Sequence, residues 1–181
     1  LYLSRGVKCS AEQIIFTSGH QQSLNIIANL FSYTDWNFAM EDPGYNGTWH
    51  TMKQNHFHIT PIPVENDGIS IKELQNLFQT LLYVTPSHQF PMGSVLSITK
   101  RLQLLEWAEK NNGYIIEDDY DSELRYHNRP IPSLQSIDSG NRTIYLGTFS
   151  KSLSPDLRIA YIVLPMPLWA SYREKYLYAN C

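Results

Sequence analysis

The sequence predicts an α/β domain built on a largely parallel sheet of about seven strands flanked by helices. Three observations carry that reading. Short apolar runs alternate with segments whose apolar residues recur at helical spacing. Polar clusters follow the strands directly, where sheets of this kind receive ligands. The last two apolar runs are separated by only eight residues, too few for a parallel crossover, so one of them is antiparallel. At 181 residues the chain suffices for one domain with a sizeable core.

In order, residues 14–19 (IIFTSG) form a β-branched run ending in glycine, and 21–33 place Leu24, Ile27, Ala28 and Phe31 on one helical face. Residues 37–41 are a second strand, closed by the turn Asp42-Pro43-Gly44. A helix is compatible with 48–55. Residues 57–64 (FHITPIPV) are strand-like, and Pro61 and Pro63 confine them to an edge or an irregular segment. Asn66-Asp67-Gly68 turns the chain. Ser70, with Glu73 three residues on, is a helix N-cap, followed by the apolar face Ile71, Leu74, Leu77 and Phe78. Residues 81–85 (LLYVT) read as buried strand and 86–93 (PSHQFPMG) as loop. The segment 98–111 repeats apolar residues at 98, 102, 105 and 108 and stops at Asn112-Gly113. Residues 114–117 are a strand ending in acid, and a long proline-containing connection from 121 to 141 leads to the runs 143–149 and 158–164.

Composition excludes some functions. No apolar run approaches the ~18 residues of a membrane span. A net charge of −3, from 14 Lys+Arg against 17 Asp+Glu without a basic cluster, lacks the footprint of a nucleic-acid binder. The opening residues, LYLSRGVKCS, have neither an initiator Met nor signal-peptide order, so the chain is expected to begin inside a longer protein. Cys9 and Cys181 show no CxxC spacing, which favours a reduced, cytoplasmic setting.

Each polar cluster has a chemical reading and a plain one. At Ser18-Gly19-His20-Gln21 the free N–H groups of a strand-to-helix turn suit a phosphate; a tight turn without a ligand accounts for them equally. Tyr45 would stack on a flat cofactor, although any exposed loop tyrosine looks the same. His88 and Gln89 are hydrogen-bond partners for a ring substituent, in a loop that its prolines would in any case make rigid. Residues 117–123 (EDDYDSE) hold five carboxylates. A calcium loop counted from Asp119 meets Leu124 where glycine is needed and Pro130 where the bidentate glutamate belongs. A strand-end carboxylate facing a pyridine nitrogen would keep it protonated, which makes the ring an electron sink. Asp118 is the candidate, with Tyr120 as donor to the ring's phenolic oxygen. His56 and His58 share one face of a possible strand, but no third metal ligand is evident.

In 143–165 (TIYLGTFSKSLSPDLRIAYIVLP) one lysine, Lys151, stands among hydroxyl residues with Arg158 seven positions on. The glycines of a P-loop would fall at Tyr145 and Ser150, which rules out that motif. A lysine snorkelling from a strand end is the plain alternative. Thr148, Ser150 and Arg158 weigh against it, because hydroxyls and a guanidinium suit a phosphate dianion. A nearby cation and desolvation also favour the neutral amine that a Schiff base needs. The reading is that Lys151 holds pyridoxal 5′-phosphate.

The clusters TSGHQQSLN, DPGY, TPSHQFPMG, IIEDDYDSE and GTFSKSLSPDLRIAY, in this order, resemble the fold-type-I, aspartate-aminotransferase-like domain of pyridoxal-phosphate proteins. HQFPMG, EDDYDSE and GTFSKSL are most similar to the MocR branch of GntR-type transcription regulators. The resemblance implies that residues 1–181 are the large, cofactor-binding domain, with a winged helix-turn-helix before it and a small domain after it. It makes Lys151 the Schiff-base lysine, Asp118 the partner of the pyridine nitrogen, Tyr120 the phenolic-oxygen donor and Tyr45 the stacking ring. Gly19, His20, Gln21, Thr148, Ser150 and Arg158 become the phosphate cup. Aminotransferases carry Asn-Pro where this chain has Phe90-Pro91, so His88 or Gln89 is expected to replace that asparagine. The implied function is sensing of an amino-acid-like compound by aldimine exchange at Lys151 in a homodimer, with DNA bound only through a domain outside this chain. The alternatives are a competent aminotransferase and an inactive truncated fragment.

Overall fold

The computed structural model describes residues 5–32, 35–121, 132–149 and 158–176. Its centre is an eight-stranded sheet: β1 (Ile14–Thr17), β2 (Asn37–Asp42), β3 (Ile59–Glu65), β4 (Gly68–Ile69), β5 (Thr80–Val84), β6 (Tyr114–Asp118), β7 (Thr143–Thr148) and β8 (Ala160–Val163). The order across the sheet is β1-β8-β7-β6-β5-β2-β3-β4. Strands β7, β6, β5, β2 and β3 run parallel. As the short gap predicts, β8 is antiparallel to β7, and it is antiparallel to β1 as well. The eighth strand is the two-residue β4, antiparallel to β3. Helices among the described residues are α1 (His20–Phe31), α2 (Asn46–Gln54), α3 (Ile71–Leu74), α4 (Ile98–Lys110), α5 (Leu134–Ile137) and α6 (Met166–Tyr176).

The central strands β5 and β6 are buried at every position, as expected of parallel strands covered on both faces. Side-chain alternation divides the core. Phe38, Met40, Leu81, Tyr83 and Ile116 pack with Leu24, Ile27 and Phe31 of α1. Ala39, Leu82, Val84 and Ile115 pack with Leu104, Trp107 and Ala108 of α4. Strand β4 pairs only with Val64 and Glu65, and just beyond it Ser70 N–H donates to the Pro63 carbonyl at 2.9 Å, so this side of β3 is only briefly paired and the predicted edge character of that segment holds.

Three local expectations are corrected. The helix after Ser70 ends at Leu74, Ser70 makes no side-chain cap, and Phe78 is exposed. The chain must turn there to enter β5, and Gln79 adopts φ 47° to do so. Helix α4 buries Lys100, Arg101, Leu104, Trp107 and Ala108, while Ile98 and Leu102 face outwards. A stripe drawn through apolar residues alone passes over Arg101, whose guanidinium has partners inside. His56 has φ 65° and lies before β3, so the two histidines do not share a strand face. Among the described residues no group of three His, Cys, Asp or Glu could hold a metal, and no helix is long and apolar enough to cross a membrane. Helix α6 went unforeseen; its apolar pattern is weak, with Leu168 its one buried side chain.

Candidate functional site

Parallel strands β2, β5, β6 and β7 deliver their C-terminal ends to one edge of the sheet, beside the N-terminus of α1. A cavity of about 300 Å³ opens there. Asp118 and Tyr83 line it from β6 and β5, Thr148 from β7, Thr85 from just beyond β5 and His20 from the start of α1. The rings of Tyr45, Phe90 and Tyr120 complete the lining. These rings meet edge-on, Tyr45 with Phe90 at 5.8 Å and Phe90 with Tyr120 at 6.4 Å between centroids.

Strand alternation sorts the acidic run, because successive side chains of β6 point to opposite faces. Glu117 accepts from the N–H groups of Leu134 (2.8 Å) and Gln135 (3.0 Å). Asp119 is held by Arg5 through two bonds of 2.6 and 3.2 Å and by the Tyr145 hydroxyl at 2.7 Å. Asp121 meets Nδ1 of His88 at 2.7 Å. Of these, Asp118 alone lines the cavity. One of its oxygens, Oδ2, accepts from His20 Nε2 (2.9 Å) and from the Tyr83 hydroxyl. Glu123 lies outside the described residues.

The loop 86–93 presents Phe90 rather than its polar neighbours. Gln89 is 2% exposed; its amide donates to the carbonyls of Pro43 (2.9 Å) and Phe90 (2.7 Å) and points toward Glu41, while its oxygen accepts from Met92 N–H. His88 bonds to Asp121 and stacks on Tyr120 at 6.2 Å. Neither side chain lines the cavity, because each has a partner behind the loop. The hydroxyl of Tyr120 donates to the His88 carbonyl at 3.0 Å.

On the other side of α1, Gly19 has φ 104°, and a Cβ there would stand 3.2 Å from Nη2 of Arg158. Glycine thus admits a guanidinium to the helix N-terminus, where the first N–H groups have no carbonyl of the helix within reach. Cation and helix end together favour an anion. Arg158 lines a neighbouring concavity of about 590 Å³ with Ser18, Gln22 and Phe149, not the cavity of Asp118. The Gln21 side chain accepts from Thr51 Oγ1 at 2.5 Å, so it is engaged with α2 rather than with the cavity. Thr148 Oγ1 donates to the Ile159 carbonyl at 3.4 Å. Ser150 and Lys151 lie outside the described residues.

Sequence reasoning missed Tyr83, Glu41 and Arg5. A tyrosine inside the run LLYVT did carry a signal, since a buried phenol needs a hydroxyl partner. Glu41, 3% exposed, accepts from the N–H and hydroxyl of Thr85 at 3.0 and 2.8 Å. Burial raises its carboxyl to about 7 against the Thr85 and Gln89 bonds, and burial with the charge of Asp119 does the same for Glu117. His20 is raised too, because Asp118's charge and hydrogen bond outweigh desolvation.

All three shifts act in one direction. Between the unfolded and folded values the native state binds more protons, so the stability these groups confer is complete below the unfolded values and lost as pH rises through the folded ones. Denaturant melts at pH 5.5 and 8.5 should therefore show a loss of about 2 kcal/mol for each buried glutamate. Glu41→Gln should flatten this slope; an unchanged slope would exclude Glu41 as a source.

A sequence model of the family described as aminotransferase class I and II matches residues 1–174. The chain belongs to that family. Among curated relatives, the HTH-type transcriptional regulator YdeL of Bacillus subtilis is 49% identical over 93% of this chain and 36% of its own length. The probable rhizopine catabolism regulatory protein MocR of Rhizobium meliloti is 42% identical over 96% of this chain and 35% of its own. The chain thus spans about a third of the length of these relatives. A solved archaeal alanine:glyoxylate aminotransferase superposes with a TM-score of 0.85 at 29% identity, over 96% of this chain and 45% of its own. The resemblance drawn from the five motifs is borne out. Pyridoxal 5′-phosphate is the cofactor that membership of the aminotransferase family carries. The donor set suits it: a buried carboxylate for a basic ring nitrogen, a ring-lined cavity for a flat group, and Gly19 admitting Arg158 beside a helix end for a phosphate.

Proposed function

We propose that residues 1–181 are the pyridoxal-phosphate-binding domain of a longer MocR/GntR-type transcription regulator, which senses an amino compound that competes with the amine of Lys151. The observation that supports this most is the buried carboxylate of Asp118 in a ring-lined cavity at the strand ends, in a chain 42% identical to MocR. When bound, the cofactor supplies an aldehyde that takes up an amine and a ring that withdraws electrons. Asp118 holds the proton on the ring nitrogen. Tyr45 covers one face of the ring, and the Tyr120 hydroxyl, turning from the His88 carbonyl, donates to the phenolic oxygen. The N–H groups at Gly19, His20 and Gln21 hold the phosphate with Thr148, Ser150 and Arg158. His88 and Gln89 shape the loop that presents Phe90. The proposal includes a cytoplasmic homodimer whose DNA contacts lie outside these residues.

Borohydride treatment of the cofactor-loaded protein, followed by peptide mapping, should label Lys151. Lys151→Ala should abolish both the label and the visible absorption band. Label elsewhere, or none, overturns the reading.

A second reading is a working aminotransferase, favoured by the superposition on the alanine:glyoxylate enzyme. Lys151 would then be the general base that moves the substrate's Cα proton. Steady release of keto acid by the full-length protein would decide for it. A protein with no visible band after addition of pyridoxal phosphate would instead be an inactive fragment.

A further inference from the structure

We infer that His20 and Tyr83 are positioning residues for the ring end of the cofactor: together they fix the carboxylate of Asp118 in the orientation that the ring nitrogen requires. The inference rests on the pyridoxal-phosphate reading and moves the His20 side chain from the phosphate, where the motif resemblance puts it, to the ring.

His20 is the first residue of α1, a place from which a side chain can turn to solvent or to an anion at the helix end. Its imidazole instead reaches Asp118 Oδ2 at 2.9 Å, and the ring of Tyr45 meets it edge-on at 5.7 Å and 73°. Tyr83, 1% exposed, brings its hydroxyl to the same oxygen from the neighbouring strand. Two donors on one oxygen oppose rotation of the carboxylate, since any turn breaks both bonds. Burial and the charge of Asp118 keep the Tyr83 phenol far above its usual range, so it remains a donor at every working pH.

The test compares binding of pyridoxal 5′-phosphate with that of its 1-deaza analogue, which has carbon in place of the ring nitrogen, by the natural full-length protein. His20→Ala and Tyr83→Phe should each weaken the natural cofactor roughly tenfold, the scale of one hydrogen bond to a charged group. His20→Gln, whose amide reaches nearly as far, should restore most of that loss. None of the three should alter binding of the analogue by more than about twofold. Equal losses with both ligands would put His20 on the phosphate or the scaffold and overturn the inference, as would no loss with either. Wild-type protein that binds neither ligand removes the underlying reading instead. Thermal melts of each variant separate lost binding from lost folding.

Discussion

Asp118→Asn will weaken binding of pyridoxal 5′-phosphate roughly a hundredfold and leave the domain folded. The change is isosteric, and the amide oxygen can still accept from His20 Nε2 and the Tyr83 hydroxyl, so the local scaffold survives. What disappears is the negative charge, at a position only 4% exposed, where water cannot replace it. A protonated ring nitrogen would then be buried without its counter-ion, and breaking one side of a buried pair costs about 3 kcal/mol or more. Glu117→Gln supplies the contrast. Glu117 is one residue away, but it faces the opposite side of β6 and accepts from Leu134 and Gln135. Its substitution should change affinity by less than about threefold, since it lies off the cavity. Titration of the visible band with cofactor measures both, and comparable losses for the two variants would refute the assignment of Asp118 to the ring.

That contrast marks what the sequence could and could not convey. An acid closing an apolar run declares a strand end, and a parallel sheet puts such ends at its binding edge, so Asp118 stands out without a structure. Its partners do not. Tyr83 approaches Asp118 only because β5 lies beside β6 with Tyr83 opposite Ile116. Strand order is set by long-range pairing that no local pattern records. The same holds for Gln89, polar in a loop by sequence but turned inward because Glu41 and the Pro43 carbonyl stand behind it. Gly19 and Arg158 are far apart in the chain and meet because β8 lies next to β1. Patterning misled most in α4, where counting charge as exposure turned the helix away from Arg101.

Arg101→Met will be the most destabilising single change outside the candidate site, at about 3–5 kcal/mol near pH 8. The guanidinium is wholly buried and donates to three carbonyls, those of Leu96 (3.0 Å), Pro132 (3.1 Å) and Pro86 (2.8 Å). Glu117 Oε1 stands 3.7 Å from it, also wholly buried. Methionine fills most of the space but offers no donor, so three acceptors lose a partner and a buried carboxylate loses its cation. Pro86 begins the loop that carries His88, Gln89 and Phe90, so loosening should reach the cavity wall as well as the core. The effect should depend on pH in a way that simple loss of packing would not. Glu117 titrates at about 7 with Arg101 beside it, and without that cation its value moves higher still. At pH 6 the carboxyl is then mostly neutral and the variant is penalised less; at pH 8 the full cost of an unpaired charge returns. Adding Glu117→Gln to Arg101→Met should recover about 1–2 kcal/mol at pH 8 and much less at pH 6. Denaturant melts of the two single variants and the double variant at both pH values test this, and a penalty independent of pH would show that Arg101 acts through its three carbonyls alone.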